Sequence, residues 1–180
     1  MTCIVGMKHR GKAYIGADSC GSDRHRYSPH IEPKVFQVGD FVIGCTTSFR
    51  MIDILKYSFN PPVFSGDTQD IHKYMTTTFV NSMRKSFVDN GFALESEKWD
   101  FGSMLIAYKD RLFVMEDDGH IWESEFHAVG SGMDYAIGCL YGLKRNNPKT
   151  DLVKALECAS NFICTVCAPY IIMDSAGRVI

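Results

Sequence analysis

Residues 1–18 read MTCIVGMKHRGKAYIGAD and predict two antiparallel strands joined by a tight turn. Apolar side chains fill both strands, and Arg10-Gly11 lies between them. Glycine supplies the positive φ that a two-residue hairpin turn needs. Because the two ends of a hairpin lie side by side, we expect Thr2, at the start of the first strand, to lie close to Asp18, at the end of the second.

Thr2 is a candidate nucleophile. A small second residue such as threonine permits removal of Met1, which would leave Thr2 with a free α-amine next to its own hydroxyl. A threonine hydroxyl is a weak nucleophile until a base removes its proton, and an N-terminal amine can be that base. The pKa of a free α-amine is about 8, so the amine is available as a base near neutral pH.

Lys34 is a candidate for the same site, and it begins the next apolar run, KVFQV at residues 34–38. A lysine ammonium close to Thr2 would lower the pKa of both the α-amine and the hydroxyl. The reason is that a positive charge disfavours protonation of the amine and favours ionisation of the hydroxyl. Asp18 can hold this lysine in an ion pair, so the sequence predicts a site that contains all three residues.

The run Tyr14-Ile15-Gly16-Ala17-Asp18, with Lys34 sixteen residues after Asp18, resembles the N-terminal-nucleophile (Ntn) hydrolases of the proteasome β-subunit and HslV-type family. In that family the mature N-terminal threonine is the nucleophile, and an aspartate and a lysine follow at this spacing. The resemblance therefore implies a catalytic role for Thr2, Asp18 and Lys34. Gly130-Ser131-Gly132 is similar to the Gly-Ser-Gly sequence before a helix of that family, which implies that Ser131 lies near the N-terminal amine.

Two further site residues come from the same comparison with the family. Backbone N–H groups at the turn Thr46-Thr47-Ser48, between a predicted strand and a predicted helix, can stabilise an oxyanion. We assign this role to the amide of Thr47, where the family usually has glycines. Asn161 is aligned with an acidic residue that, in the family, hydrogen-bonds the active-site threonine and serine. Because asparagine carries no charge, Asn161 would support the amine less strongly.

The order of predicted elements is strands, two helices, strands, two helices and a final strand, which is typical of an α+β protein built in layers. The resemblance implies a four-layer αββα sandwich, the Ntn-hydrolase fold. Residues 71–87 carry aromatic and methionine side chains at the three-four spacing of one helical face, and we expect this stripe in the core. Residues 19–33 are polar, so we expect an exposed loop, which the resemblance places along the substrate groove.

Composition excludes several classes of protein. Hydrophobic residues make up 46% of the 180 residues and charged residues 22%, which predicts one domain over residues 1–180. The net charge is −2 and there is no basic run, so we expect no nucleic-acid partner. No apolar run reaches the ~20 residues of a membrane span, and the N-terminus has no signal-peptide pattern, so we expect no membrane partner.

The cysteines and acidic residues do not indicate a metal site. The seven cysteines are an odd number and lie mostly in apolar runs, as expected for reduced cysteines in a cytoplasmic protein. Cys164-x-x-Cys167 has no second pair, so its zinc signal is weak. Residues 116–118 lack the spacing of an EF-hand and fit a solvated hairpin turn. We therefore expect neither a metal nor another cofactor.

The resemblance implies a threonine-type endopeptidase in a self-compartmentalising homo-oligomeric ring that acts on peptides or unfolded proteins. Because the chain has no ATP-binding motif, an ATP-dependent unfoldase partner would have to supply the energy. Two alternatives remain open, since a fold does not fix a function. The first is a catalytically inactive structural ring subunit of the same fold. The second is an Ntn amidase of the same mechanism that acts on a small molecule.

Overall fold

The computed structural model describes residues 2–22, 27–29, 32–93 and 101–180, in which strands and helices follow one another in the predicted order. The strands are β1 Cys3–His9, β2 Lys12–Ala17, β3 Cys20–Ser22, β4 Tyr27–Pro29, β5 Val35–Val38, β6 Phe41–Cys45, β7 Met104–Tyr108, β8 Arg111–Met115, β9 Ile121–Glu123, β10 Phe126–Gly130 and β11 Ile171–Asp174. The α-helices are α1 Phe49–Tyr57, α2 Ile71–Tyr74, α3 Val80–Asp89, α4 Met133–Gly142 and α5 Pro148–Phe162.

The hairpin predicted at the N-terminus is confirmed. β1 and β2 are antiparallel, with Ile4 opposite Ala17 and His9 opposite Lys12. Arg10 and Gly11 both have positive φ, of 49° and 75°, as the twist of a two-residue hairpin requires. This hairpin lies at the centre of a four-stranded sheet with the order β10-β1-β2-β11. A second, five-stranded sheet has the order β5-β6-β7-β8-β9.

The two sheets pack face to face, and helices cover both outer faces. Successive side chains of β1 point to opposite faces of its sheet, so Ile4 packs between the sheets while Val5 packs against the helices. Between the sheets, Ile4 meets Val42 and Leu105 of the second sheet. Helices α4 and α5 cover the first sheet, and α1 to α3 cover the second. The predicted four-layer αββα sandwich is confirmed.

The predicted stripe of the long helical region forms core, but the helix is not regular. A 3-10 turn at Thr68–Asp70 precedes α2, and a π-helical turn at Met75–Phe79 joins α2 to α3. The π turn contains more residues per turn than an α-helix, so it keeps side chains spaced by four on one face. The side chains at this spacing are fully buried: Ile71, Met75, Phe79, Met83 and Phe87. Thr78, which the predicted stripe includes, is exposed.

The prediction of an exposed loop at residues 19–33 is wrong for the first residues of this segment. Ser19 and Cys20 are almost fully buried, and β3 pairs with β4 in a small two-stranded sheet. The N–H of Ser19 donates to the carbonyl of Cys167 at 3.0 Å, which holds the chain inside directly after β2. Residues 23–26, 30 and 31 lie outside the described residues. Among the described helices, none is long and apolar enough to cross a membrane.

Candidate active site

Thr2 lies at the start of β1, where the ends of three strands meet. Its neighbour Cys3 is opposite Gly130 of β10, and Ile4 is opposite Ala17 of β2. Thr2 is 5% exposed. Its main-chain N–H donates to Oγ of Ser131 at 3.3 Å, and the Ser131 hydroxyl donates to the Thr2 carbonyl at 3.2 Å. Ser131 thus makes two hydrogen bonds to the main chain of Thr2.

Asp18 and Lys34 form a buried ion pair next to Thr2. The Nζ of Lys34 lies 2.9 Å from Oδ1 and 3.0 Å from Oδ2 of Asp18. The side chain of Lys34 is 2% exposed and that of Asp18 is 0% exposed. Oδ1 also accepts the N–H of Cys3, and Oδ2 accepts the N–H of Cys20, both at 2.8 Å. A buried charge is costly unless it is paired and hydrogen-bonded, and Asp18 meets both conditions.

The Gly130-Ser131-Gly132 sequence allows two strand ends to approach closely. Gly130 has a φ of 93°, and a Cβ there would lie 2.3 Å from the carbonyl oxygen of Thr2. A Cβ on Gly132 would lie 2.9 Å from Cβ of Cys3. Side chains at either position would therefore push the β1 start away from Ser131. Gly132 is followed directly by α4, as the sequence predicts.

Asn161 is not brought to this cluster. It is exposed in the last turn of α5, on a different face from Leu156 and Ala159, which are buried. The contact to Ser131 comes instead from Thr165, whose Oγ1 lies 3.3 Å from Oγ of Ser131. Thr165 is 7% exposed and was missed in the sequence. The helical spacing of the apolar residues Leu156 and Ala159 places position 161 on the opposite, exposed side of α5. This spacing is the sequence signal that could have shown that Asn161 does not reach Ser131.

Thr47 is in a conformation that is rare for a β-branched residue. Its φ is 76°, and the N–H of Ser48 donates to the carbonyl of Thr46 at 3.0 Å, as in a three-residue turn. The N–H of Thr47 itself has no acceptor among the described residues. Thr46 anchors the turn to the segment before β7, because its hydroxyl donates to the carbonyl of Ser103 at 2.7 Å. As far as the described part of the chain shows, the amide of Thr47 is therefore available as a donor.

A cavity of about 80 Å³ connects these groups. Ser48 occupies the position before α1, as predicted, but its side chain makes no capping hydrogen bond. The cavity brings the start of β1, the buried lysine and this turn together. Its lining residues are Thr2, Lys34, Cys45, Thr46, Thr47, Ser48, Phe49 and Ile52.

The neighbouring thiols do not compete with Thr2 as nucleophiles. Burial and the charge of Asp18 raise the pKa of the Cys3 thiol to about 12. Burial raises the pKa of the Cys45 thiol to about 12 as well. Both therefore stay protonated near neutral pH, and a thiol is a much weaker nucleophile than its thiolate. Among the described residues, no group of three or more His, Cys, Asp or Glu could hold a metal ion.

The comparisons with known proteins identify the fold. No protein-family model matches the chain, and the search of curated proteins found no relative. BPH from Thiobacillus denitrificans is similar in structure, with a TM-score of 0.81 and 20% identity over 99% of each chain. The same protein in complex with epoxomicin gives a TM-score of 0.79 at 20% identity, over 98% of this chain and 99% of that one.

HslV from Trypanosoma brucei gives a TM-score of 0.66 and 12% identity, over 96% of this chain and 98% of that one. Anbu, described as an ancestral β-subunit, from Yersinia bercovieri gives a TM-score of 0.66 and 13% identity, over 98% of this chain and 84% of that one. At these identities the similarity shows the fold alone. The chain therefore has the proteasome-like fold of HslV and Anbu.

Proposed function

We propose that this chain is a threonine-type endopeptidase in which Thr2, after removal of Met1, is the N-terminal nucleophile. The observation that carries this proposal is the fully buried ion pair of Lys34 and Asp18, with Lys34 lining the same small cavity as Thr2. A buried lysine adds little to stability even when it is paired. A buried lysine in the cavity that Thr2 also lines supports a role for its charge in chemistry on the Thr2 hydroxyl.

The first half of the reaction forms an ester. The free α-amine of Thr2 takes the proton from its own Oγ, directly or through a water molecule, and Oγ attacks the carbonyl carbon of the peptide bond. Lys34 favours the ionised hydroxyl and disfavours protonation of the amine by its positive charge. The amide of Thr47 donates to the oxyanion that forms. The C–N bond then breaks, and the proton passes to the departing amine.

The second half of the reaction restores the enzyme. A water molecule, with its proton taken by the α-amine, attacks the carbonyl carbon of the ester. The bond to Thr2 Oγ breaks, the hydroxyl regains its proton, and a peptide carboxylic acid is released. Ser131 and Thr165 hold the nitrogen of Thr2 in place through both steps, since their hydroxyls lie 3.3 Å apart and Ser131 contacts that nitrogen.

The proposal includes a homo-oligomeric ring with the sites inside, peptides or unfolded proteins as substrates, and an ATP-dependent unfoldase as partner. The fold shared with HslV and with Anbu supports this assembly. We place the whole chain, residues 1–180, in one catalytic domain. A cytoplasmic location fits the free thiols of the seven cysteines.

The test is an intact-mass measurement of the purified protein after incubation with epoxomicin, which is bound in the similar BPH structure. We expect loss of Met1 and one adduct per chain, no adduct with Thr2→Ala, and retained labelling with Thr2→Ser. A fluorescent unfolded protein should be cleaved by the wild type and not by Thr2→Ala. If Met1 is retained, the protein is first treated with a methionine aminopeptidase and labelled again.

The alternatives predict different outcomes of the same experiment. A chain that carries Thr2 as its first residue and still takes no label would be a structural ring subunit. A labelled chain that is monomeric by light scattering and leaves unfolded protein intact would be an amidase for small molecules. A labelled ring that cleaves unfolded protein supports the endopeptidase.

A further inference from the structure

Two cysteines meet beside Asp18 and take no part in the proposed reaction. Cys20 begins β3 and is fully buried. Cys167 is partly exposed and lies in the segment between α5 and β11. Both are free thiols. They are separated by most of the chain, so only the fold brings them together.

The main chain fixes both cysteines on the same carboxylate. Oδ2 of Asp18 accepts the N–H of Cys20 at 2.8 Å and the N–H of Cys167 at 3.5 Å. The N–H of Ser19 donates to the carbonyl of Cys167 at 3.0 Å. Ser19 therefore ties the main chain before Cys20 to that of Cys167. The N–H groups of both cysteines also share one acceptor, Oδ2 of Asp18.

The shared Asp18 acceptor and the hydrogen bond from Ser19 to Cys167 place the Cys20 and Cys167 side chains close together, while the Cys20 thiol donates to the carbonyl of Gly21 at 3.9 Å. Burial, followed by the influence of the neighbouring Cys167 thiol, raises the pKa of the Cys20 thiol to about 12. A protonated, buried thiol does not react first with a dissolved oxidant. The partly exposed Cys167 is the accessible member of the pair, and Cys20 is placed to react second.

We propose that Cys20 and Cys167 are a thiol modification site that forms a reversible disulfide with a small disulfide oxidant such as glutathione disulfide. In the first step the Cys167 thiol loses its proton to solvent and its sulfur attacks glutathione disulfide, giving a mixed disulfide and one glutathione thiolate. In the second step the Cys20 sulfur attacks the Cys167 sulfur, the bond from Cys167 to glutathione breaks, and the Cys20 proton passes through solvent to the departing glutathione. Two thiols are oxidised and one glutathione disulfide is reduced to two glutathiones.

The disulfide would connect the two sides of the Thr2 site. Cys20 follows Asp18 by two residues, and Cys167 follows Thr165 by two residues. Thr165 contacts Ser131, which contacts Thr2. The position of Asp18 relative to Thr165 would then depend on the redox state of the surroundings. The inference does not require peptidase activity, so its test is independent of the proposed function.

The test equilibrates the purified full-length protein with reduced and oxidised glutathione at a series of ratios. Free thiols are then alkylated, the protein is digested without reductant, and the peptides are identified by mass spectrometry. We expect one linked pair that joins the peptides of Cys20 and Cys167, which dithiothreitol reverses. The oxidised protein should also have a higher Tm than the reduced protein, because the new bond closes a long loop.

Matched variants make the result specific. Cys20→Ser should leave a glutathione adduct on Cys167, because the second thiol is missing. A variant with Cys139→Ser and Cys158→Ser should keep the Cys20–Cys167 link. The inference is overturned if Cys20 is alkylated at every ratio, if Cys167 links to Cys164 instead, or if a glutathione adduct on Cys167 persists in the wild type. Cys167→Ser, at the partly exposed position, tests the link again if Cys20→Ser does not fold.

Discussion

Both carboxylate oxygens of Asp18 contact Nζ of Lys34, at 2.9 Å and 3.0 Å, and both side chains are almost fully buried. The same oxygens accept main-chain N–H groups from Cys3, which follows Thr2 in the chain, and from Cys20, at the start of β3. The carboxylate thus fixes the lysine ammonium and the backbone around the candidate nucleophile at the same time. Stability and reactivity at this site should therefore change together when the pair is broken.

Asp18→Asn should lower the free energy of unfolding by about 3–5 kcal/mol, because it leaves the ammonium of Lys34 buried without its countercharge. Urea unfolding followed by circular dichroism measures this loss. The double variant Asp18→Asn with Lys34→Met should recover much of the stability, since it removes the unpaired charge. Neither variant should react with epoxomicin at the wild-type rate. Unchanged stability and labelling in Asp18→Asn would contradict the assigned role of the pair.

Thr165 is expected to support the Thr2 nitrogen through Ser131. Thr165→Val keeps the shape of the side chain but removes the hydroxyl that lies 3.3 Å from Oγ of Ser131. One lost hydrogen bond of about 1 kcal/mol corresponds to a labelling rate reduced roughly fivefold. Thr165→Ser retains the hydroxyl and should keep most of the rate. Equal rates for the valine and serine variants would show that the hydroxyl does not matter.

Asn161 provides the reference for that measurement. Its side chain is exposed and lies outside the cluster, so Asn161→Ala should label at the wild-type rate. If Asn161→Ala were labelled slowly and Thr165→Val at the wild-type rate, Asn161 would be the supporting residue, as the sequence alignment suggested. The rate is best measured across a pH series, because a change in the support of the amine would shift the pH dependence rather than only the amplitude.

Thr47 and Gly102 should be energetically coupled. Both have positive φ, of 76° and 74°, and a Cβ on Gly102 would lie 1.9 Å from Oγ1 of Thr47. Thr47→Gly removes backbone strain and should stabilise the protein by about 1 kcal/mol. Gly102→Ala should destabilise it strongly in the wild type and less in the Thr47→Gly background. A double-mutant cycle by urea unfolding measures the coupling, and additive effects would contradict the close contact.

His127 should make stability depend on pH in the mildly acidic range. Burial lowers its pKa, although the charge of Glu116 opposes this effect, and the Trp122 ring packs edge-on against it at 4.9 Å. With a lowered pKa in the folded state, the unfolded chain binds the proton more readily, so stability is lost as the pH falls below about 6.5. Urea unfolding at a series of pH values should show a flatter profile for His127→Gln than for the wild type.

The sequence predicted the hairpin of β1 and β2 because its signals are local: two apolar runs joined by a turn that contains a glycine. Ser131 was expected from the resemblance of Gly130-Ser131-Gly132 to a Gly-Ser-Gly sequence of the family, and the close approach of Gly130 to Thr2 gives a physical reason for the first glycine. Thr165 was missed because its contact depends on how the segment after α5 folds back, which no local pattern records. The same reason explains Ser19 and Cys20, whose burial follows from a contact with Cys167 across the chain.

The cavity beside Thr2 should select the side chain that precedes the cleaved bond. Its volume is about 80 Å³ and its walls include Cys45, Thr46 and Ile52, which are buried. Lys34 is engaged by Asp18, so its charge is not offered to a substrate carboxylate. We expect cleavage after small aliphatic residues such as alanine, valine or leucine, and little cleavage after phenylalanine or lysine. A panel of fluorogenic peptides that differ at this one position measures kcat/KM for each.

Ile52→Val tests whether the cavity wall limits the size of the substrate side chain that can bind beside Thr2. The variant removes one methyl group from a buried residue, which costs about 1 kcal/mol of stability and should leave the protein folded. One methylene of extra space changes the discrimination between substrates by about 10-fold or somewhat more. The ratio of kcat/KM for phenylalanine against valine should therefore rise in Ile52→Val, while Tyr57→Phe, at an exposed position of α1, should leave it unchanged. A wild type that already prefers phenylalanine would mean that a different surface binds the substrate side chain.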